Sequence, residues 1–355
     1  MFLAWNEIKK YKLRFALITG VLMLVAYLVF FLSGLATGLQ SLNRESVDKW
    51  DATAIFLTED SDQSLYQSSM DTKDIGALNA KETAVLGQIS AIAGNGNAKQ
   101  NVSIFGIRPD EFLMPEVTEG KPFKQQNEVI ASDALKDAGF VIGDELSISS
   151  SDEKLVITGF TDNARFNASP VLYGAIETYQ RIKYGDAAEQ NKDQINALVV
   201  KDPNIESLKA PKGYEWVEIE TFISNLPGYT EQNLTLTFMI YFLFVISSVI
   251  VAIFLYVLTV QKISMFGVMK AQGISNLYLS RSVVAQTFLL AFIGTFIGFC
   301  LTTLSGSFLP SAVPVSFDLG LMLVYGLVLI AVAVAGAVFS VWTIVRIDPL
   351  KAIGG

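Results

Sequence analysis

The chain has 355 residues, 51% of them hydrophobic, with no histidine, one cysteine and a net charge of −8. With no histidine, and Cys300 as its one thiol, it lacks the usual zinc ligands, histidine general acid–base chemistry, Ser-His-Asp and Cys-His nucleophiles, and any intrachain disulfide. It contains no G-x-x-x-x-G-K-[ST] and is acidic, so no P-loop nucleotide, resident metal or cofactor, nucleic-acid partner or enzymatic activity of its own is expected.

The charges are sorted by segment. Four stretches carry no Asp, Glu, Lys or Arg: residues 15–43, 232–261, 282–317 and 319–345. A bilayer core of about 30 Å needs roughly 20 apolar helical residues, and each stretch exceeds that. The fold class expected is a membrane protein with four transmembrane α-helices, one before and three after a large extracytoplasmic α+β domain.

In chain order, residues 1–14 hold Lys9, Lys10, Lys12 and Arg14 against Glu7, with Phe2, Trp5, Ile8 and Tyr11 near one helical face. That pattern suits either an interfacial cytoplasmic helix or a plain basic flank. Residues 15–43 are longer than the apolar core of a cleaved signal peptide, about 7–15 residues, and read as an uncleaved first span. The block 44–231 contains thirty-one acidic and seventeen basic residues, a net of −14. Its alternating patterns predict strands at 53–57, 102–107, 128–131, 146–148, 155–158 and 197–200. Helices are expected at 132–138, 176–183 and 218–226, the first capped by Ser132 or Asp133, and 60–69 reads as a loose loop. The second span is 232–261, followed by a basic loop at 262–281 and a third span at 282–304. A short outer loop, 305–318, leads to the fourth span at 319–345 and a tail at 346–355, where Asp348-Pro349 ends one helix and 350–353 begins a short turn. Basic residues retained on the cytoplasmic side put both termini and the 262–281 loop inside and the acidic block outside.

The spans offer no ionisable group for an ion or proton path. Walls this apolar suit either an amphipathic, membrane-partitioned cargo or helices that transmit motion and move no cargo. Gly34/Gly38 and Gly294/Gly298 form G-x-x-x-G pairs, which serve packing within one chain or between two. The 262–281 loop has Lys262, Lys270 and Arg281, with Gly267 and Gly273 as punctuation, and presents Ile263, Met265, Phe266, Val268 and Met269 among polar neighbours. An apolar patch rimmed by charge is what a cytoplasmic motor would dock on; a loop held by lipid is the alternative.

This loop, Q-K-I-S-x-x-G-x-x-K-A-x-G-I-S, with the one-plus-three layout, the run NEVIASDALKDAGFVIGDELSI…LVITGF and the ending D-P-L-K-A-I, resembles the MacB/FtsX-type permeases of ABC transporters. Within that family, GLATGL at 34–39 with Asn43, YTEQNLTLTFMI at 229–240 and RIDPLKAIGG are similar to the haem-exporting permeases of Gram-positive bacteria. The resemblance covers essentially the whole chain. It implies a homodimeric permease in the cell membrane, paired with a separate cytoplasmic ABC ATPase that binds ATP and Mg. It further implies that haem enters sideways between the first and second spans and leaves outward. Haem iron accepts Met or Tyr, which makes Tyr229, Met239 and Tyr241 candidate contacts, with Glu45, Asp48 and Glu231 as anionic oxygen donors. Met239 and Tyr241 also read as core or interfacial residues, and the acids as a solvated helix end. Lys262, Met265, Phe266, Gly267, Lys270 and Gly273 are the ATPase-coupling candidates. Export of antimicrobial peptides or lipid-linked molecules is an alternative, as is FtsX-like mechanotransmission to an outer partner.

Overall fold

The uncharged stretches form the cores of four long helices in the computed structural model, which describes residues 12–73, 80–149, 151–205, 210–261, 263–309 and 313–345. In chain order the helices are α1 (Lys12–Asp48), α2 (Ala134–Asp137), α3 (Ile176–Tyr184), α4 (Ile219–Ser224), α5 (Tyr229–Val260), α6 (Ile263–Ala271), α7 (Asn276–Gly306) and α8 (Leu319–Val345). Four of them, α1, α5, α7 and α8, are long and apolar enough to cross a membrane. No proline interrupts any of the four. At 1.5 Å per residue, the 37 residues of α1 extend about 55 Å, well beyond a bilayer core of about 30 Å. The helix therefore does not stop at Asn43 but carries Arg44, Glu45 and Asp48 on its last turns. The expected 346–355 tail with its short turn, and most of the expected 1–14 helix, lie outside the described residues.

Two units divide the chain, Met1–Leu39 with Leu234–Gly355, and Gln40–Asn233, and the division falls inside α1 and α5. In the helical unit, α1 buries Phe15, Ile18, Ala26, Val29 and Phe30. Its approach to α7 depends on small residues: a Cβ at Gly294 would lie 2.8 Å from Leu22 Cβ, and one at Gly298 would lie 2.8 Å from Ala26 Cβ. Gly34 and Gly38 face the segment that precedes α8, where a side chain would run into Phe317 or the Pro314 carbonyl. There the Ser316 N–H donates to the Gly34 carbonyl at 3.0 Å. Both G-x-x-x-G pairs are thus occupied by packing within the chain.

The second unit is built on a mixed sheet of eleven strands. The strands are β1 (Ala54–Thr58), β2 (Met70–Asp71), β3 (Glu82–Gly94), β4 (Lys99–Ile107), β5 (Glu119–Gly120), β6 (Glu128–Ser132), β7 (Glu145–Ile148), β8 (Lys154–Thr161), β9 (Arg165–Phe166), β10 (Ser169–Ala175), β11 (Gln194–Ile195), β12 (Ala197–Lys201) and β13 (Tyr214–Glu218). The main path runs β13-β1-β12-β3-β4-β10-β6-β8-β5, while β2 and β11 pair separately. Most pairings are antiparallel; β10 with β4 and β6 with β8 are parallel. All six expected strands are present; β3, β10 and β13 are additional, as are the two-residue strands β2, β5, β9 and β11.

Opposed glycines, Gly87 on β3 and Gly106 on β4, leave room for the Tyr179 ring of α3, which a Cβ at either position would strike. The Tyr179 hydroxyl then donates to Asn196 Oδ1 at 2.6 Å. Asn196 also donates from Nδ2 to the carbonyls of Leu65 at 3.0 Å and Ser68 at 2.8 Å. The segment expected to be a loose loop is therefore tied down: Ser61, Leu65 and Ser68 are buried, and the Ser68 N–H donates to the Ser64 carbonyl at 3.0 Å. Buried carbonyls without partners are costly, and one asparagine supplies them here. The cap expected for α2 also differs. Asp133 makes no side-chain cap bond, and Ser132 Oγ accepts the Ala134 N–H at 3.4 Å.

Candidate functional site

The last turns of α1 and the first turn of α5 gather most of the predicted haem contacts within the Gln40–Asn233 unit. Arg44 grips Asp48 one helical turn on, with Nη2 donating to Oδ1 at 2.8 Å, and reaches Glu220 Oε1 at 2.7 Å. The guanidinium is held firmly in its charged form, chiefly by Asp48 and then by Glu220, with Tyr229 close by. Gln40 Nε2 donates to Asn233 Oδ1 at 2.6 Å, a second link between α1 and α5. A charge-assisted, many-partner guanidinium is a strong local tie, because planar forked donors match carboxylates.

That tie decides what the candidates can do. Asp48 is engaged by Arg44. Tyr229 is 9% exposed and packs in the core cluster that includes Val47, Trp50 and Phe222. Glu45 is half-buried, and its Oε2 accepts the Arg165 N–H at 3.1 Å. Burial pushes the Glu45 carboxyl above its ordinary range, against the opposing pull of Arg165. Glu231 is exposed on the first turn of α5, where an acid complements the helix dipole. The structure thus brings together Asp48, Arg44 and Glu220 as a bonded group, with Tyr229 in the core beside them. Gln40, Arg44, Asn233 and Glu220 were missed by sequence reasoning. Their one signal was position, since three of them stand at the ends of uncharged stretches.

Met239 and Tyr241 belong to the helical unit, at 47% and 60% exposure. The packed stripe of α5 runs through Leu236, Ile240, Ser247 and Val251, all buried. At about 100° per residue, Met239 and Tyr241 stand on opposite flanks of that stripe. One α5 helix cannot turn both toward one small ligand.

The coupling candidates fall on α6 and the turn after it, apart from Lys262, which lies outside the described residues. The Ile274 N–H bonds to the Met269 carbonyl at 3.1 Å and the Gly273 N–H to the Lys270 carbonyl at 3.0 Å, with Gly273 at φ +87°. This is a Schellman ending, and it needs a residue that tolerates the left-handed region. Ser275 then caps α7, its Oγ accepting the Tyr278 N–H at 3.3 Å. Phe266, expected to be exposed, is 2% exposed and packs with Leu279, Met269, Ile274 and Val283. It braces the turn from inside. Gly267 is buried beside it, while Met265 and Val268 are exposed at 39% and 44% and form the apolar patch that remains on the surface.

Residues 237–349 match the family model described as the FtsX-like permease C-terminal domain. Over its full length the chain is 27% identical to a Staphylococcus haemolyticus protein carrying the name hemin transport system permease protein HrtB, covering 99% of that protein. A Staphylococcus epidermidis protein of the same name is 26% identical over 366 residues, covering 100% of this chain and 99% of the relative. An uncharacterized ABC transporter permease of Mycobacterium tuberculosis is 23% identical over 371 residues, with 100% and 99% covered. Among solved structures, the extracellular domain of the ABC-type transporter YknZ covers 47% of this chain and 99% of its own, at 12% identity and a TM-score of 0.34. The periplasmic region of MacB from Actinobacillus actinomycetemcomitans covers 48% and 90%, at 13% identity and a TM-score of 0.36. The likeness rests on the sequence matches. With four apolar helices, a sheet-rich domain between the first and second, and a match to the FtsX-like permease C-terminal domain across the last three, the chain is similar over its whole length to ABC transporter permeases.

Proposed function

We propose that this permease exports haem from the membrane to the outside, driven by a separate HrtA-like cytoplasmic ATPase. The supporting observation is the end-to-end likeness to relatives named as hemin transport permeases, with 27% identity spread over the whole chain. The chemistry agrees. Haem is a flat, amphipathic, membrane-partitioned cargo, and the uncharged stretches give its apolar macrocycle walls without competing charges. Two copies of the permease work with two of the ATPase in this reading, with both termini and the α6 turn on the cytoplasmic side, as the basic residues favour. Among the candidate contacts, exposed Met239 and Tyr241 are the ones accessible to a cargo arriving from lipid; Asp48 is taken up by Arg44, and Tyr229 by the core. Because Met239 and Tyr241 flank opposite sides of α5, one of them contacts the cargo and the other faces away.

A haemin titration followed by absorbance tests this assignment. Wild type should show a saturable shift of the haem band, altered by Met239→Ala or by Tyr241→Phe but not by both. Tyr229→Phe and Glu45→Ala should leave its spectral position unchanged. No saturable shift in wild type, or a band altered by Tyr229→Phe alone, contradicts the assignment. A second cargo has one specific observation behind it: the net charge of −14 on residues 44–231 would attract cationic antimicrobial peptides. Resistance profiling of a deletion strain separates the two, since haem export predicts sensitivity to haemin and not to peptides.

A further inference from the structure

The Gln40–Asn233 unit contains a cavity that the transport reading does not use. It has a volume of about 530 Å³, within the usual range of small-molecule pockets of about 300–1,000 Å³. Its floor is formed by buried Gln88, Ser103, Phe166 and Phe222, and Tyr66 stands at its mouth with 68% of its surface exposed. No Asp, Glu, Lys or Arg lines it. In a unit this rich in acids, a cavity lined by amides, hydroxyls, aromatic rings and the aliphatic Leu65, Leu226 and Pro227, with no charge among them, is a chemical statement.

Two of the lining groups lack partners. Gln88 is 3% exposed, and its Nε2 donates to Ser90 Oγ at 3.3 Å while its Oε1 has no hydrogen bond. Asn167 Oδ1 is likewise buried and unbonded. Both are acceptors, and a buried acceptor without a donor costs free energy unless a bound molecule supplies one. The walls also hold backbone that ordinary residues avoid. Gln63 has φ +58° and Asn167 has φ +49°, and neither is glycine. Left-handed non-glycine residues cluster where a surrounding structure has a reason to impose them. Asn196 anchors the Leu65 and Ser68 carbonyls, so this wall is built before any ligand arrives.

From these observations we infer that the cavity binds a neutral carbohydrate, a mono- or disaccharide unit. An ion would be stripped of water with no opposite charge to meet it. Sugar hydroxyls each donate and accept, and so satisfy the two orphaned carbonyl oxygens while matching the mixed amide and hydroxyl lining. The aromatic faces of Tyr66 and Phe166 suit the apolar face of a sugar ring. The site is independent of the haem reading and would stand if that reading failed.

The test uses the full-length permease in lipid nanodiscs, titrated by calorimetry with glucose, N-acetylglucosamine and N,N′-diacetylchitobiose, with glucuronate and the peptide Ac-Ala-Ala-Ala-NH2 as comparisons. The expected result is saturable binding of at least one neutral sugar and none of glucuronate. Loss of one hydrogen bond or one ring contact should weaken it about tenfold in Gln88→Leu and in Tyr66→Ala. Tyr66 is exposed, so its variant remains decisive if Gln88→Leu does not fold. Absence of saturable binding for every neutral sugar overturns the proposal, as does binding that Tyr66→Ala leaves unchanged. Tighter binding of the tripeptide than of any sugar overturns the carbohydrate assignment. Haemin-stimulated ATP hydrolysis, measured on the same preparations, reports the transport reading separately.

Discussion

Asn196 shows how much one side chain can hold. It is fully buried, accepts from the Gln88 N–H at 2.8 Å and the Tyr179 hydroxyl, and donates to two carbonyls of the 61–68 segment. Asn196→Ala would leave those groups unpaired, and the loss expected is roughly 3–4 kcal/mol. Thermal unfolding of the detergent-solubilised permease checks this; an unchanged midpoint would contradict the role given to the residue. Glu45 has a different signature. Its carboxyl is raised by burial, so the folded state holds the proton more tightly than the unfolded chain does. The ionised carboxylate therefore subtracts stability above its folded pKa. Stability is regained as pH falls from neutral through the raised value toward the ordinary carboxylate range. Glu45→Gln should flatten that part of the stability–pH curve, and a curve with the wild-type slope would contradict it. Neither residue announced its role in sequence. Asn196 sits between Ile195 and Ala197 as an ordinary polar break, and its partners lie more than a hundred residues away or on another element.

At the scale of elements, periodicity was a good guide where packing and propensity agree. Strands with alternating or branched residues, such as AIFLT of β1, were legible. The long β3, ETAVLGQISAIAG, was not, because its alanines and glycines are poor strand formers in isolation. It is a strand because Gly87 must admit Tyr179 and because β4 and β12 pair on either side of it. Proline and glycine in SPVLYGA hid β10 in the same way. On α6 the structure separates buried Phe266 from exposed Met265 and Val268, the pair we propose as the ATPase docking patch. Phe266→Ala should destabilise the turn by about 3–5 kcal/mol through the cavity it leaves, visible as a lowered unfolding temperature. Met265→Asp should leave stability unchanged and abolish co-purification of the ATPase. The reverse pattern would contradict the division between brace and docking patch. The glycine pairs make a parallel prediction. Gly298→Leu overpacks the α1–α7 contact and should lower stability by about 1–3 kcal/mol or more without dissociating copies of the permease. Loss of self-association with stability intact would mean the pair faces another chain.

For the whole molecule, the sorted charges were the most legible feature, and they marked the four described helices long and apolar enough to cross a membrane. The helix that exceeds the bilayer, the Arg44 tie and the interior use of Phe266 were not legible, since each depends on contacts between distant parts of the chain. The uncharged stretches make the helical unit a poor medium for a polar cargo, while the 44–231 block carries a net charge of −14. Export of haem by an ATP-driven motor is the central claim. The direct measurement is ATP hydrolysis by the purified permease with its partner ATPase, in nanodiscs, as haemin is added. The account predicts a saturable rise in hydrolysis, retained in Tyr66→Ala and lost in Met265→Asp. Hydrolysis indifferent to haemin while a cationic peptide stimulates it would contradict the account.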